Sequence, residues 1–241
     1  MKLIVAKNYE ELSKTAADII KEEVIKKPNI VLGLATGSTP VGTYKNLIKF
    51  HEEEGLDFSK IKTFNLDEYV GLDGKHPSSY RYFMDENLFS KINIKMENTY
   101  VPDGKASDLE NYCKEYDRSI EEAGGIDVQV LGIGSNGHIA FNEPSESLSI
   151  GTFIASLKET TIKDNSRFFN SIEEVPTTAI SMGIGSILKA KKIILLANGK
   201  NKAEVIQQLL DKNVVSTNLP VSLLLLHPDF TIIVDEAAYK K

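Results

Sequence analysis

The chain has 241 residues, 41% of them hydrophobic and 26% charged, with a formal net charge of −6. That is enough for one sizeable core, and one α/β catalytic domain over 1–241 is the expected organisation. The acidic balance argues against nucleic-acid and membrane-surface partners, so an anionic ligand would rely on a few local basic groups.

The lone cysteine, Cys113, excludes an intramolecular disulfide and reads as a cytosolic thiol in a helix. His51, His76, His138 and His227 are scattered, with no H-x-H or C-x-x-C spacing, so no metal site is expected. The apolar run near Met1 is too short for a signal peptide, and no stretch is long and apolar enough to span a bilayer. The expectation is a cytoplasmic protein.

In chain order, residues 3–5 read as a strand and 9–26 as an amphipathic helix with Leu12, Ala16, Ile19, Ile20 and Val24 on one face. Residues 30–34 form a continuous apolar run, the signature of a strand buried on both sides. A helix at 41–53, a strand at 62–66 and a helix at 77–89 follow, the last opened by Pro77. Then come a helix at 106–123 and strands at 126–131 and 152–157. The stretch 145–178 is less regular. Residues 192–196 read as strand, 202–210 as helix and 230–234 as a last strand. This alternation predicts a doubly wound, mostly parallel α/β sheet with helices on both faces, Rossmann-like and single-domain.

Four segments carry candidate chemistry. In Gly33-Leu34-Ala35-Thr36-Gly37-Ser38-Thr39-Pro40, a buried strand breaks into small and hydroxyl residues. Thr39 suits an N-cap and Pro40 the first helical position. The turn fits either an anion held by free backbone N–H groups and the Ser and Thr hydroxyls, or a plain capped βα turn. Asp67 and Glu68 end an apolar strand. Neighbours on an extended chain face opposite ways, so one acid can face a cleft and the other a structural partner.

The third segment runs from Val130 through Gly132, Gly134, Asn136, Gly137 and His138 to Glu143 and Pro144. A buried strand breaks into glycines and then presents an amide, an imidazole and a carboxylate. Strand ends of this kind are where open α/β sheets place their chemistry. The glycines spell G-x-G-x-x-G, but Pro144 interrupts before any long helix and the next strand carries no acid, so a dinucleotide site is rejected. Gly183 and Gly185 read as a turn or a close packing contact. The fourth segment is a pair of basic positions, Arg167 between Asn165-Ser166 and Phe168-Phe169, and Lys202 at a helix start.

The runs Gly33 to Pro40, Asn65 to Leu72, His76 to Tyr80, Gly137 to Pro144 and Asn165 to Phe169, in that order, resemble the glucosamine-6-phosphate deaminase (isomerase) family over nearly the whole chain. The resemblance implies conversion of glucosamine 6-phosphate and water to fructose 6-phosphate and ammonia, in amino-sugar catabolism, with no cofactor. It implies that His138 opens the sugar ring, that Glu143 orients the imidazole, and that Asp67 moves the C2 proton to C1. Gly37, Ser38, Thr39, Arg167 and Lys202 would bind the phosphate.

Two departures stand out. Asn136 occupies a position where many members carry Asp, which implies a shifted pH profile with activity retained. The stretch 149–156 has no basic residue, and the chain ends soon after the last strand. Both features predict a non-allosteric enzyme, monomeric or a small homo-oligomer. The alternatives are a 6-phosphogluconolactonase, a non-catalytic sugar-phosphate sensor, and a deaminase of the C4 epimer, galactosamine 6-phosphate.

Overall fold

The computed structural model describes residues 1–166, 169, 171–211 and 214–239. The chain alternates strand and helix from the start. It runs β1 (Lys2–Ala6), α1 (Tyr9–Lys26), β2 (Val31–Leu34), α2 (Val41–Glu54), β3 (Lys62–Asn65), β4 (Asp67–Tyr69), α3 (Tyr80–Asn87), β5 (Thr99–Tyr100) and α4 (Leu109–Glu122). It continues β6 (Val128–Leu131), β7 (Phe153–Ser156), α5 (Glu159–Asn165), β8 (Thr178–Ser181), α6 (Ile184–Leu188), β9 (Lys192–Ala197), α7 (Ala203–Asp211), β10 (Phe230–Asp235) and α8 (Glu236–Tyr239).

Seven strands form one sheet in the order β1-β10-β9-β6-β2-β3-β5, and every neighbouring pair is parallel. The expected doubly wound architecture is therefore present. Side chains alternate between two cores as the period of two requires. Leu32, Leu34, Val128, Val130, Ile194 and Leu196 pack under α1 and α2. Val31, Leu131, Ile193 and Leu195 pack on the other face, with α4 and α7. Among the described residues no helix is long and apolar enough to cross a membrane.

The winding direction reverses between β2 and β6. From β2 the chain builds outward through β3 to β5, and from β6 it builds the other way through β9 to β10. A crevice forms at such a reversal, at the carboxyl ends of the strands. The opposite rim is closed by Asp127, which accepts the Val31 N–H at 2.9 Å and pairs with Lys27 at 2.6 Å and Lys191 at 2.7 Å.

Two expectations are corrected. Pro77 does not open α3. Ser79 caps it instead, accepting the Tyr82 N–H at 3.1 Å, and Pro77 belongs to the turn before it. The strand expected at 152–157 is present as β7, but it joins a second, unexpected sheet, antiparallel, in the order β4-β8-β7. It hangs from the end of β3, tied by the Met182 N–H to the Leu66 carbonyl at 2.8 Å. Tyr69, Phe141, Ala155, Leu157 and Ala179 form its own small core.

Gly183 joins this sheet to α6 through close packing, as expected. A methyl group there would lie 2.2 Å from the Gly151 carbonyl oxygen and 2.6 Å from those of Ile150 and Ser149. These are backbone atoms with no room to yield, and overpacking of this kind costs about 1–3 kcal/mol. Gly183→Ala should therefore lower the thermal midpoint by about 2–12 °C for a chain of this size, read by calorimetry.

Candidate active site

The site is assembled from strand ends. Four strands of the large sheet release their chains on one edge, and the segments after them line a single cavity of about 410 Å³. Behind β2 come Ala35 to Thr39, behind β3 Leu66 and Asp67, behind β6 Gly132 to Ser135 and His138, and behind β9 Asn198, Gly199, Asn201 and Lys202. The structure thus brings Asp67, His138, Gly37, Ser38, Thr39 and Lys202 to one wall-to-wall pocket. Arg167 lies outside the described residues. Among the described residues no group of three or more His, Cys, Asp or Glu is placed to hold a metal ion.

The turn after β2 is built from residues that cannot continue the strand. Gly37 takes φ +93°, a conformation that side chains disfavour. Pro40 occupies the cap position of α2 with φ −78° and ψ −9°, and its side chain makes no cap hydrogen bond. The expected Thr39 cap is therefore corrected. Its hydroxyl donates instead to the Asn198 side-chain oxygen at 2.8 Å, linking the turn to the β9 end. The turn residues Gly37, Ser38 and Thr39 line the cavity just before the helix start, where backbone N–H groups favour an anion.

Asp67 and Glu68 face opposite ways, as their extended backbone requires. Asp67 points into the cavity and is only 7% exposed. Burial, with repulsion from the Glu68 carboxylate added, pushes its carboxyl up to about 8. Glu68 turns to the far side. It accepts the N–H groups of Tyr69, Tyr80 and Arg81, each at 2.9 Å, and so anchors the start of α3. Burial pushes Glu68 up to about 7, against the pull of those three donors.

His138 enters from the turn after β6. Its ring lies against the bare backbone of Gly134, where a Cβ would sit 2.4 Å from the imidazole. Only glycine permits that approach. The next turn holds Ala140 at φ +49°, a strained value for a residue with a side chain. Asn142 staples that turn, donating to the carbonyls of Ile139 at 3.0 Å and Met182 at 2.8 Å.

Behind the imidazole stands Glu143. Its Oε1 lies 3.2 Å from His138 Nδ1, close but poorly aligned for a hydrogen bond. The same oxygen accepts the Thr161 hydroxyl at 2.5 Å, and Oε2 accepts the Asn136 amide at 2.7 Å. Burial opposes the charge on Glu143, yet the His138, Thr161 and Asn136 contacts outweigh it and hold the carboxyl at about 2. Glu143 is therefore a fixed anion behind the ring. Asn136 acts on that anion and on the backbone, since its oxygen accepts the His138 N–H at 3.1 Å.

Sequence reasoning missed Tyr80, Thr161 and Asn198, which also line the cavity. Asn198 follows directly on a parallel strand, a position that was a usable signal. Tyr80 and Thr161 arrive from α3 and α5, which pack over the site through contacts distant in sequence.

A family model described as glucosamine-6-phosphate isomerases/6-phosphogluconolactonase matches residues 5–232. The chain is 58% identical over 238 residues to a glucosamine-6-phosphate deaminase of Thermoanaerobacter pseudethanolicus, covering 99% of this chain and 94% of that one. It is 60% identical over 240 residues to one of Clostridium tetani, covering 100% and 99%. A solved monomeric glucosamine-6-phosphate deaminase superposes with a TM-score of 0.96 at 46% identity, over 99% of this chain and 98% of that one. A 6-phosphogluconolactonase of Thermotoga maritima shares the fold, with a TM-score of 0.76 at 18% identity over 98% and 99% of the two chains. On this match the chain belongs to the glucosamine-6-phosphate isomerase/6-phosphogluconolactonase family.

Proposed function

We propose that the chain converts glucosamine 6-phosphate and water to fructose 6-phosphate and ammonia. The observation that carries the reading is a buried Asp67, its carboxyl raised toward the neutral range, lining one pocket with a His138 that Glu143 backs from behind. A lactone hydrolase has no carbon acid to deprotonate, whereas an aldose–ketose isomerase does. The identity to deaminases supports the same choice.

His138 takes the proton of the anomeric hydroxyl and delivers one to the ring oxygen, opening the sugar. The Glu143 anion behind the ring stabilises the imidazolium formed on the way. Asp67 then removes the C2 proton of the open aldehyde, giving an enolamine, and returns a proton to C1. Oxidation at C2 balances reduction at C1 within one molecule, so no redox cofactor enters. Water adds to the resulting C2 imine and ammonia leaves, which completes the ketose. The Gly37, Ser38 and Thr39 amides, with Lys202 and Arg167, hold the phosphate. A base with its pKa near the working pH suits this transfer, and positioned general bases contribute about 10²–10⁴-fold.

We place the enzyme in the cytoplasm, because a phosphate ester carries too much charge to cross a bilayer. The monomeric neighbour supports a monomer or small homo-oligomer. The stretch 149–156, which has no basic residue, supports a non-allosteric enzyme.

The direct test is release of ammonia and fructose 6-phosphate from glucosamine 6-phosphate, with and without N-acetylglucosamine 6-phosphate. Stoichiometric release on a hyperbolic curve, unmoved by the acetylated sugar, is the expected result. Absence of release, with turnover of 6-phosphogluconolactone instead, would overturn it. Asp67→Asn should lower solvent-deuterium exchange at C2 by at least about 10²-fold while leaving substrate binding near that of the parent. Exchange at the parent rate would remove Asp67 as the base.

The raised carboxyl also has a thermodynamic consequence. Asp67 binds its proton more tightly folded than unfolded, so its contribution is complete below about 3.8 and is lost as pH rises toward about 8. Asp67→Asn should therefore melt several degrees above the parent at pH 9, the gap closing toward pH 4. Thermal melts across that range check it; a constant gap would refute the burial argument.

A further inference from the structure

The N-terminal helix reaches under the phosphate turn through one side chain. Tyr9, the first residue of α1, places its hydroxyl 2.9 Å from the Ser38 carbonyl and 3.0 Å from that of Thr39. It also accepts the Gly42 N–H at 2.8 Å. One hydroxyl proton is thus shared between two carbonyls, while the oxygen caps an otherwise unpaired donor in the first turn of α2. Tyr9 is itself fixed, because Asn8 caps α1 by accepting the Glu11 N–H at 2.9 Å.

We propose that Tyr9 is a positioning residue for the phosphate turn, aiming the Thr39 N–H into the cavity by holding the Ser38 carbonyl on the opposite side. The Ser38–Thr39 peptide is trans, so its C=O and N–H point in opposite directions. Anchoring the carbonyl at Tyr9 therefore turns the Thr39 N–H away from α1, and Thr39 lines the cavity. The following peptide ends at Pro40, which has no N–H, so its carbonyl can be anchored without orienting a donor. The Thr39 hydroxyl is held separately by Asn198 at 2.8 Å. The turn is thus tethered on two sides, by α1 behind it and by the β9 end beside it.

Capture of the Gly42 N–H has a second effect. That donor belongs to the free start of α2 and would otherwise be open to an anion. Tyr9 occupies it, so the anion is directed to the turn and not to the helix beyond.

The proposal rests on the reading of residues 37–39 as the phosphate site, and the test separates the two. Wild-type protein labelled with ¹⁵N is titrated with inorganic phosphate, and the amide signals of Thr39 and Gly42 are followed. Thr39 should shift and Gly42 should not. A silent Thr39 overturns both the phosphate reading and the role of Tyr9. A Gly42 shift as large as that of Thr39 overturns Tyr9 alone, and this arm needs no variant. Tyr9→Phe keeps the ring and removes the three hydrogen bonds. Phosphate affinity should fall about tenfold, with KM for glucosamine 6-phosphate rising by the same factor and kcat unchanged. Unchanged phosphate affinity in this variant, or a fall in kcat at constant KM, would sink the Tyr9 assignment while leaving the phosphate turn in place.

Discussion

Parallel pairing is the constraint on which this molecule depends. Successive parallel strands must each be re-entered from the same end, so each needs a crossover, and every crossover begins on the same edge. That edge inevitably collects segments from distant parts of the chain. Here it collects a glycine–hydroxyl turn, an acid, a histidine and a lysine-bearing turn, each from a different strand. The reversal of winding between β2 and β6 then spreads two of those segments apart and opens the crevice. Stability and function use opposite rims. Asp127 ties lysines and a strand amide at the amino ends, while the carboxyl ends remain available for chemistry.

Two carboxylates in the pocket region are pushed in opposite directions. Asp67 has burial and a like charge around it and keeps its proton well above the usual carboxylate range. Glu143 has a hydroxyl, an amide and an imidazole around it and keeps its charge. Divergent environments of this kind divide acid–base roles within one site. The environments come from different layers. Asp67 lies where the small antiparallel sheet and the aromatic cluster of Tyr69, Tyr80 and Phe141 shut out water. Glu143 lies under α5, whose Thr161 reaches down to it.

Much of this was legible in the sequence, and the remainder was hidden for physical reasons. The large sheet announces itself because strands buried on both faces are continuous apolar runs, as at Val31–Leu34 and Lys192–Ala197. The opposite facing of Asp67 and Glu68 follows from backbone geometry alone. Which acid faces inward does not, because that depends on α3 folding back so that Tyr80 and Arg81 meet Glu68. The small sheet escaped notice because β4 is Asp-Glu-Tyr, a sequence with no apolar alternation, paired with a strand far along the chain. Thr39 and Pro77 both carried local helix-start signals, and tertiary partners overrode them. Asn198 took the Thr39 hydroxyl, and Ser79 supplied the cap that Pro77 cannot. Asn136 stood out in the sequence only as an amide where many members carry an acid; that its side chain serves the glutamate behind the imidazole depends on the folded turn.

The adjacency of Asp67 and Glu68 also bears on how such a chain can change over generations. The two acids do unlike work only because a pleated backbone sends consecutive side chains to opposite sides. A single inserted or deleted codon between β3 and β4 would reverse their facing, sending the longer acid into the pocket and turning the shorter one toward a helix it cannot reach. Point substitutions can be tried one at a time in this segment, but its length cannot drift. Descent should therefore preserve the spacing here more strictly than the identity of the residues on either side.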